Sequence, residues 1–254
     1  MTQILLETDA LTVRFGGHVA VDAVTCKFPA GELTAIVGPN GAGKTTYFNL
    51  ISGQIAATAG TVTLKGQDIT RLGVAERCRR GLGRAFQLTN LFPDLSVLEN
   101  LRLVIQSRKH KGFGLFSMAD SHTELTSEAS GILERVRLDT QKDQLVTELS
   151  HGDQRKLEVA MLIGLDPLVY MFDEPTAGMS VDEAPVILDL IAEIKADTSK
   201  TVLLVEHKLD VIRTLADRII VLHNGALAAD GPPAEVMASA VVQEAYMGKE
   251  LDNV

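Results

Sequence analysis

The chain has 254 residues, of which 46% are hydrophobic and 22% charged, the balance of an ordinary globular protein with a sizeable core. Its formal net charge of -9 argues against a nucleic-acid binder, which needs a basic face to displace counterions. Cys26 and Cys78 form no spacing motif and fit a reducing compartment. The start "MTQILLETDA" lacks a basic region followed by an apolar core, and no window reaches the roughly 18 uninterrupted apolar residues of a membrane span. A cytosolic chain is expected, with any membrane association arising through partners.

Residues 3–30 alternate apolar and polar, with Gly16 and Gly17 separating "LETDALTVRF" from "HVAVDAVTCKF". That pattern predicts two antiparallel strands and a turn. "ELTAIV" (32–37) is short and apolar and ends at Gly38, which predicts a buried strand. "TTYFNLIS" predicts a helix, and "GTVTLKGQDI" a further strand and turn. The character changes over 94–148. "SVLENLRLVIQS" and "SEASGILERVRL" carry helical periodicity, and "RKHKGFGLFSMADS" (108–121) between them reads as a loop or broken helix. Then come "LVYMF" (168–172), "TVLLVE" (201–206) and "RIIVLH" (218–223), alternating with helical segments at 183–197 and 208–216. Such alternation predicts a parallel sheet covered on both faces. "AEVMASAVVQEAYMGKE" reads as a helical tail.

"GPNGAGKT" (38–45) fits G-x-x-x-x-G-K-[ST] and stands between a predicted strand and a predicted helix, the context that motif requires. Gly38, Pro39, Asn40, Gly41, Ala42 and Gly43 form a loop whose backbone N–H groups can turn inward around phosphate oxygens. The helix that follows points its positive end at the same anion, with Thr46 in its first turn. Lys44 is expected to reach the β- and γ-phosphates, and Thr45 to ligate Mg²⁺. "LVYMFDEP" is an apolar strand ending in two carboxylates. Asp173 is placed to hold Mg²⁺, directly or through water, and Glu174 to polarise an attacking water. "TVLLVEH" repeats the device and delivers His207 to the same sheet edge. Contact with the γ-phosphate, orientation of Glu174 and orientation of the water are all open to its imidazole. Gln87 in "GRAFQLTNLFP" carries no signal by itself.

With these parts in order, the chain resembles the ATP-binding cassette (ABC) ATPases over essentially its whole length. The loop at 38–45 matches Walker A, Gln87 the Q-loop, "LSHGDQ" (149–154) the signature, "LVYMFDE" Walker B, "AGMS" (177–180) the D-loop and His207 the switch histidine. The resemblance implies an α/β P-loop NTPase core with an antiparallel β subdomain and a helical insert, all one ABC ATPase domain over 1–254. Core and β subdomain would take 1–89 and 161–235, the helical subdomain about 90–160, and the helical tail 236–254. ATP and Mg²⁺ are implied, with Glu174, His207 and Gln87 as catalytic residues and Thr45, Gln87 and Asp173 as metal ligands. Phe15 in "VRFGG" matches the aromatic that stacks on adenine, usually a Tyr; stacking needs only a ring.

The resemblance also implies a head-to-tail dimer in which the signature acts in trans, offering its partner's ATP the Ser150 hydroxyl, the Gly152 N–H and a helix N-terminus. The usual L-S-G-G-Q departs here: His151 replaces the first Gly, and Asp153 stands at the Gln position with Gln154 following. Histidine takes left-handed backbone angles less readily than glycine, which bears on the shape expected of this turn. Ser180 stands where the D-loop usually has Asp. "RFGGHVAVDAV", "GRAFQLTNLFPDLSVLENL", "HGDQRKLEVA" and "VVQEAYMG" look like the ATPases of branched-chain amino acid importers within the hydrophobic and amide amino-acid uptake group. That branch implies a second ABC ATPase subunit, similar or identical, and two transmembrane permeases. It also implies, indirectly, a periplasmic substrate-binding protein and a place on the cytoplasmic face of the inner membrane. "LTNLFPDLSV" (88–97) would offer a permease helix its groove. An envelope-lipid extractor ATPase, and a soluble ABC ATPase of DNA repair or translation, are the competing readings.

Overall fold

The computed structural model describes residues 3–85, 91–109 and 118–239, and for 118–122 the backbone alone. In chain order come β1 (Ile4–Phe15), β2 (His18–Pro29), β3 (Leu33–Val37), α1 (Lys44–Ser52), β4 (Ala59–Leu64), β5 (Gln67–Asp68), α2 (Val74–Arg79) and β6 (Leu82–Arg84). Then follow α3 (Val97–Arg108), α4 (Met118–Arg135), α5 (His151–Leu165), β7 (Val169–Asp173), α6 (Ala184–Ala196), β8 (Thr201–Val205), α7 (Leu209–Leu215), β9 (Arg218–His223), β10 (Ala226–Gly231) and α8 (Pro233–Met237). No helix among the described residues is long and apolar enough to cross a membrane.

Two sheets form. An antiparallel sheet runs β2-β1-β4-β5, and a six-stranded sheet runs β10-β9-β3-β8-β7-β6. In the second, β3 is parallel to β8 and β9, and β7 is parallel to β8, as the alternation of strands and helices predicted. The sheet is mixed rather than wholly parallel, because β10 returns antiparallel to β9. The sequence reading missed this strand, although its signal is present. Asn224 and Gly225 both have positive φ (49° and 79°) between the paired His223 and Ala226. Asn-Gly is the dipeptide a tight two-residue hairpin prefers.

The chain divides into two compact units: Met1–Leu82 with Leu168–Glu174 and Ile194–Val254, and Gly83–Pro167 with Pro175–Glu193. In the first, the period of two sorts side chains between two cores. Ile36, Ile220 and Leu222 join Tyr47, Phe48 and Phe28 on one face, while Ala35, Val37, Ile219 and Val221 meet Ile212 and Val236 on the other. All five residues of β3 are therefore buried. Polar groups within this core are paired: the Tyr47 and Thr8 hydroxyls lie 2.8 Å apart, and Thr8 also accepts the Cys26 N–H. Burial pushes the Cys26 thiol up to about 11.

In the second unit, α3, α4 and α5 pack together. Ser96 caps α3 by accepting the Glu99 N–H. The fully buried Asn100 accepts the Phe92 N–H and donates to the Phe92 and Ser96 carbonyls, tying the segment before α3 to its first turn.

α1 is closed at its far end by a buried cation. Arg77, 2% exposed, donates to the Leu50 and Ile51 carbonyls in the last turn of α1 and to those of Leu72 and Thr70. Burial holds its guanidinium down at about 10. Helix C-termini carry unpaired carbonyls and partial negative charge, and Arg77 satisfies both. Arg77→Met is expected to cost about 3 kcal/mol or more in urea unfolding, since buried carbonyls lose charge-assisted partners. A loss below about 1 kcal/mol would show that these carbonyls find other donors.

Candidate functional site

Residues 38–43 leave the buried end of β3 and wind into α1. Gly43 is the N-cap, in a left-handed conformation with φ 97°, and it has no side-chain oxygen to cap the first turn. The loop is wedged against its neighbours. A Cβ on Gly38 would lie 2.1 Å from the Leu222 carbonyl oxygen in β9, and one on Gly43 would lie 2.6 Å from the Ala20 oxygen in β2. Lys44 is buried, and its ammonium donates to the Gly38 and Pro39 carbonyls at 2.7 and 3.0 Å, arching over the loop.

The loop faces a cavity of about 270 Å³ lined by Asn40 to Thr46, by His18 and Ala20 of β2, and by Glu174 and His207. The structure thus brings most of the sequence-predicted loop together with Glu174 and His207, two of the three predicted catalytic side chains. Glu174 follows the last residue of β7 and takes a left-handed φ of 50°; its N–H bonds to the Val205 carbonyl at 2.9 Å. From there Glu174 Oε1 lies 2.6 Å from His207 Nε2. Of the roles open to His207, orientation of Glu174 is the one this contact supplies. Asp173, the last residue of β7, pairs in register with Val205 and is not among the cavity-lining residues. Phe15 ends β1, is 51% exposed and pairs with His18 across the hairpin. Gln87 lies outside the described residues.

Three contributors escaped the sequence reading. His18 and Ala20 lie two apart on β2 and so share a face, but an exposed His after a Gly-Gly turn gives no signal of a ligand. Glu206 is 3% exposed and accepts the His207 N–H at 2.7 Å, fixing the backbone that carries the imidazole. Its signal was the acidic residue closing an otherwise apolar strand.

The "LSHGDQR" segment has a different shape from the turn expected ahead of a helix. Helix α5 begins at His151 itself, and Ser150 is its N-cap, accepting the Asp153 N–H at 3.1 Å. Neither His151 nor Gly152 has positive φ among the described residues, so the histidine meets no left-handed requirement. What Gly152 supplies is space: a Cβ there would fall 2.3 Å from Glu183 Oε1. Glu183 also accepts the N–H and hydroxyl of Ser180, at 3.0 and 2.9 Å, and these bonds hold its carboxyl below the usual range.

A glycine-rich loop opening a helix, beside an acid and an imidazole at neighbouring strand ends of a largely parallel sheet, is the layout of a P-loop nucleotide-hydrolysing domain. The comparisons carry this further. The ABC transporter family model matches residues 21–177, and the model for branched-chain amino acid ATP-binding cassette transporters matches 227–252. The high-affinity branched-chain amino acid transport ATP-binding protein LivG of Salmonella typhimurium is 37% identical over 256 residues, 98% of this chain and 100% of the relative. BraF of Pseudomonas aeruginosa, with the corresponding description, is 35% identical over 254 residues, 98% of this chain and 100% of its own. A crystal structure of an ATP-binding cassette of an ABC transporter in its ADP conformation superposes with a TM-score of 0.80 at 30% identity, covering 97% of this chain and 100% of that one. A dimeric cassette in a post-hydrolysis state with ADP and Pi matches with a TM-score of 0.76 at 26% identity, covering 90% and 99%. The chain belongs to the ABC transporter ATPases, as an ATP-binding protein of the branched-chain amino acid type.

Two glycines of the loop resist substitution for different reasons and to different degrees. Gly41 has φ 80° but open space around it, whereas Gly38 has φ 150° and a backbone oxygen in the way. Gly41→Ala is expected to cost about 1 kcal/mol and Gly38→Ala about 3 kcal/mol in denaturant unfolding. Equal losses would mean that the Leu222 carbonyl yields.

Proposed function

We propose that this chain is the ATP-hydrolysing motor of an importer for branched-chain or related amino acids. In this reading it sits on the cytoplasmic face of the inner membrane through two transmembrane permeases, served indirectly by a periplasmic substrate-binding protein. The observation that carries it is the convergence of the 40–46 loop, Glu174 and His207 on one cavity, in a chain similar along its whole length to branched-chain amino acid transport ATPases. The chain is read as one ABC ATPase domain, with core and β subdomain at 1–89 and 161–235, helical subdomain at 90–160 and tail at 236–254.

Each residue's role follows from its chemistry. Lys44 exchanges its loop carbonyls for phosphate oxygens, which are stronger acceptors because they carry charge. The first-turn amides of α1, uncapped by any side chain, face the same anion. The exposed Phe15 ring offers a platform for the adenine, and its aromatic face substitutes for the usual tyrosine. Glu174, held by His207, accepts a proton from the attacking water, and His207 and Gln87 position the γ-phosphate end. Thr45 and Asp173 offer oxygen donors of the kind Mg²⁺ prefers. No cluster of three His, Cys, Asp or Glu exists among the described residues, so the ion would be held mainly by phosphate and water, as is usual for it. Bound there, Mg²⁺ would neutralise charge on the β- and γ-phosphates.

The Ser150 turn, with Gly152, is read as half of a partner's site in a head-to-tail dimer, the partner being an identical or similar ATPase. A solved cassette at 26% identity is described as dimeric, which supports this arrangement.

Glu174→Gln is expected to retain ATP binding while turnover falls by about 10²-fold or more. Unchanged turnover would remove Glu174 from its role. Lys44→Ala should lose tight ATP binding in equilibrium titration, and wild-type affinity would remove the loop assignment. The transport reading is tested by purifying the tagged chain from native membranes in mild detergent. Two polytopic permeases and a second similar ATPase are expected. A single permease type with an envelope-bridging protein would point to lipid export, and no membrane protein at all would overturn the reading.

A further inference from the structure

We propose that Lys156 is the positioning residue of the Ser150 turn, holding Asp153 and Glu183 so that a phosphate can take over the Ser150 hydroxyl. The inference rests on the trans role proposed above for that turn.

A continuous polar chain runs under the first turn of α5. The Ser150 hydroxyl donates to Asp153 Oδ2 at 2.9 Å while its oxygen accepts the Asp153 N–H. The Lys156 ammonium donates to Asp153 Oδ1 at 2.8 Å and lies 3.7 Å from Glu183 Oε1. Glu183 Oε2 accepts both the N–H and the hydroxyl of Ser180. With no side chain at Gly152, the Glu183 carboxylate lies directly against the first turn of the helix. Lys156 itself is only 8% exposed, so its ammonium meets Asp153 away from bulk water, while the Ser150 and Ser180 ends of the chain stay open to solvent.

A serine hydroxyl has one hydrogen, and here it points at Asp153. A phosphate oxygen is an acceptor, so it engages Ser150 only by taking that hydrogen. Asp153 then loses a donor and stands beside a second anion at a helix start. A neutral amide at this position would meet neither difficulty. Lys156 meets both: with three donors and a full charge it keeps Asp153 paired after the hydroxyl turns away, and it offsets the carboxylate's repulsion of the phosphate. Asp153 thereby weakens the trans contact and Lys156 restores it. Through Glu183, the same ammonium ties the turn to Ser180 of the 177–180 segment. Lys156 acts on these neighbours and touches no nucleotide.

The test uses the full chain carrying Glu174→Gln, with ATP-driven self-association followed by analytical ultracentrifugation and binding of a fluorescent ATP analogue measured in parallel. Adding Asp153→Asn should lower the half-maximal ATP concentration for association about fivefold, and adding Lys156→Met should raise it about tenfold, with Lys156→Arg close to the parent. The Asp153→Asn, Lys156→Met pair should behave like Asp153→Asn alone, because the cation has nothing left to offset. Analogue binding should stay level throughout and drop only with Lys44→Ala. A parent that associates with ATP neither with itself nor with the second ATPase recovered from native membranes overturns the trans reading, and the inference with it. A parent that associates while Asp153→Asn leaves it unmoved, or while Lys156→Met and its pair with Asp153→Asn lose equally, overturns the Lys156 assignment alone. Should Lys156→Met fail to fold, Asp153→Asn and Lys156→Arg carry the same decision.

Discussion

A loop that binds phosphate must hold its backbone in the one shape that turns amides toward the ligand. This chain meets that constraint by wedging the loop between two strands at distances that exclude a Cβ. Gly38 abuts the Leu222 carbonyl and Gly43 abuts the Ala20 carbonyl. The strands that act as walls, β9 and β2, belong to different sheets, so the loop's shape requires that both sheets be in place. The turn into β10 matters for the same reason: the Gly225 N–H bonds to the Ala42 carbonyl, and a Cβ on Gly225 would fall 2.8 Å from the same Ala20 oxygen.

The acid and the imidazole meet because adjacent parallel strands end level. Asp173 and Val205 are register partners, so the residues just beyond them leave the sheet together. Glu174 bends back through a left-handed conformation, uncommon for a non-glycine residue, and is held there by the Val205 carbonyl. The buried Glu206 accepts the N–H of the very next residue, His207. The 2.6 Å contact between Glu174 and His207 is thus set by backbone geometry on both sides, leaving the side chains little to search.

Much of this was legible in the sequence, and the parts that were not share a cause. The phosphate loop, the strand-end carboxylates and His207 announce themselves because each closes a short apolar run, and a run of that kind fixes where its last residue goes. The β1–β2 hairpin and the helices α1, α3 and α4 follow from periodicity and glycine placement. β10 has alternating but weakly apolar residues, "ALAADG", and only its Asn-Gly turn marks it. The Ser150 segment was mistaken in shape because a glycine between polar residues looks like a turn. Its glycine serves space rather than backbone angle, and space depends on Glu183, thirty-one positions away. Lys156 and Arg77 were invisible for a related reason: a charged residue on an amphipathic helix looks solvated until its partners are known.

Arg77 gives α1 an unusual mechanical standing. The helix has nine residues, about 13 Å of rigid rod. One end is built to grip an anion, and the other is clamped by a buried cation through two carbonyls. A rod pinned at both ends does not slide when its ligand is shortened by a bond. In the reading proposed above, a nucleotide that loses its terminal phosphate stays seated on this rod, and the loss is met at the carboxylate and imidazole that line the same cavity.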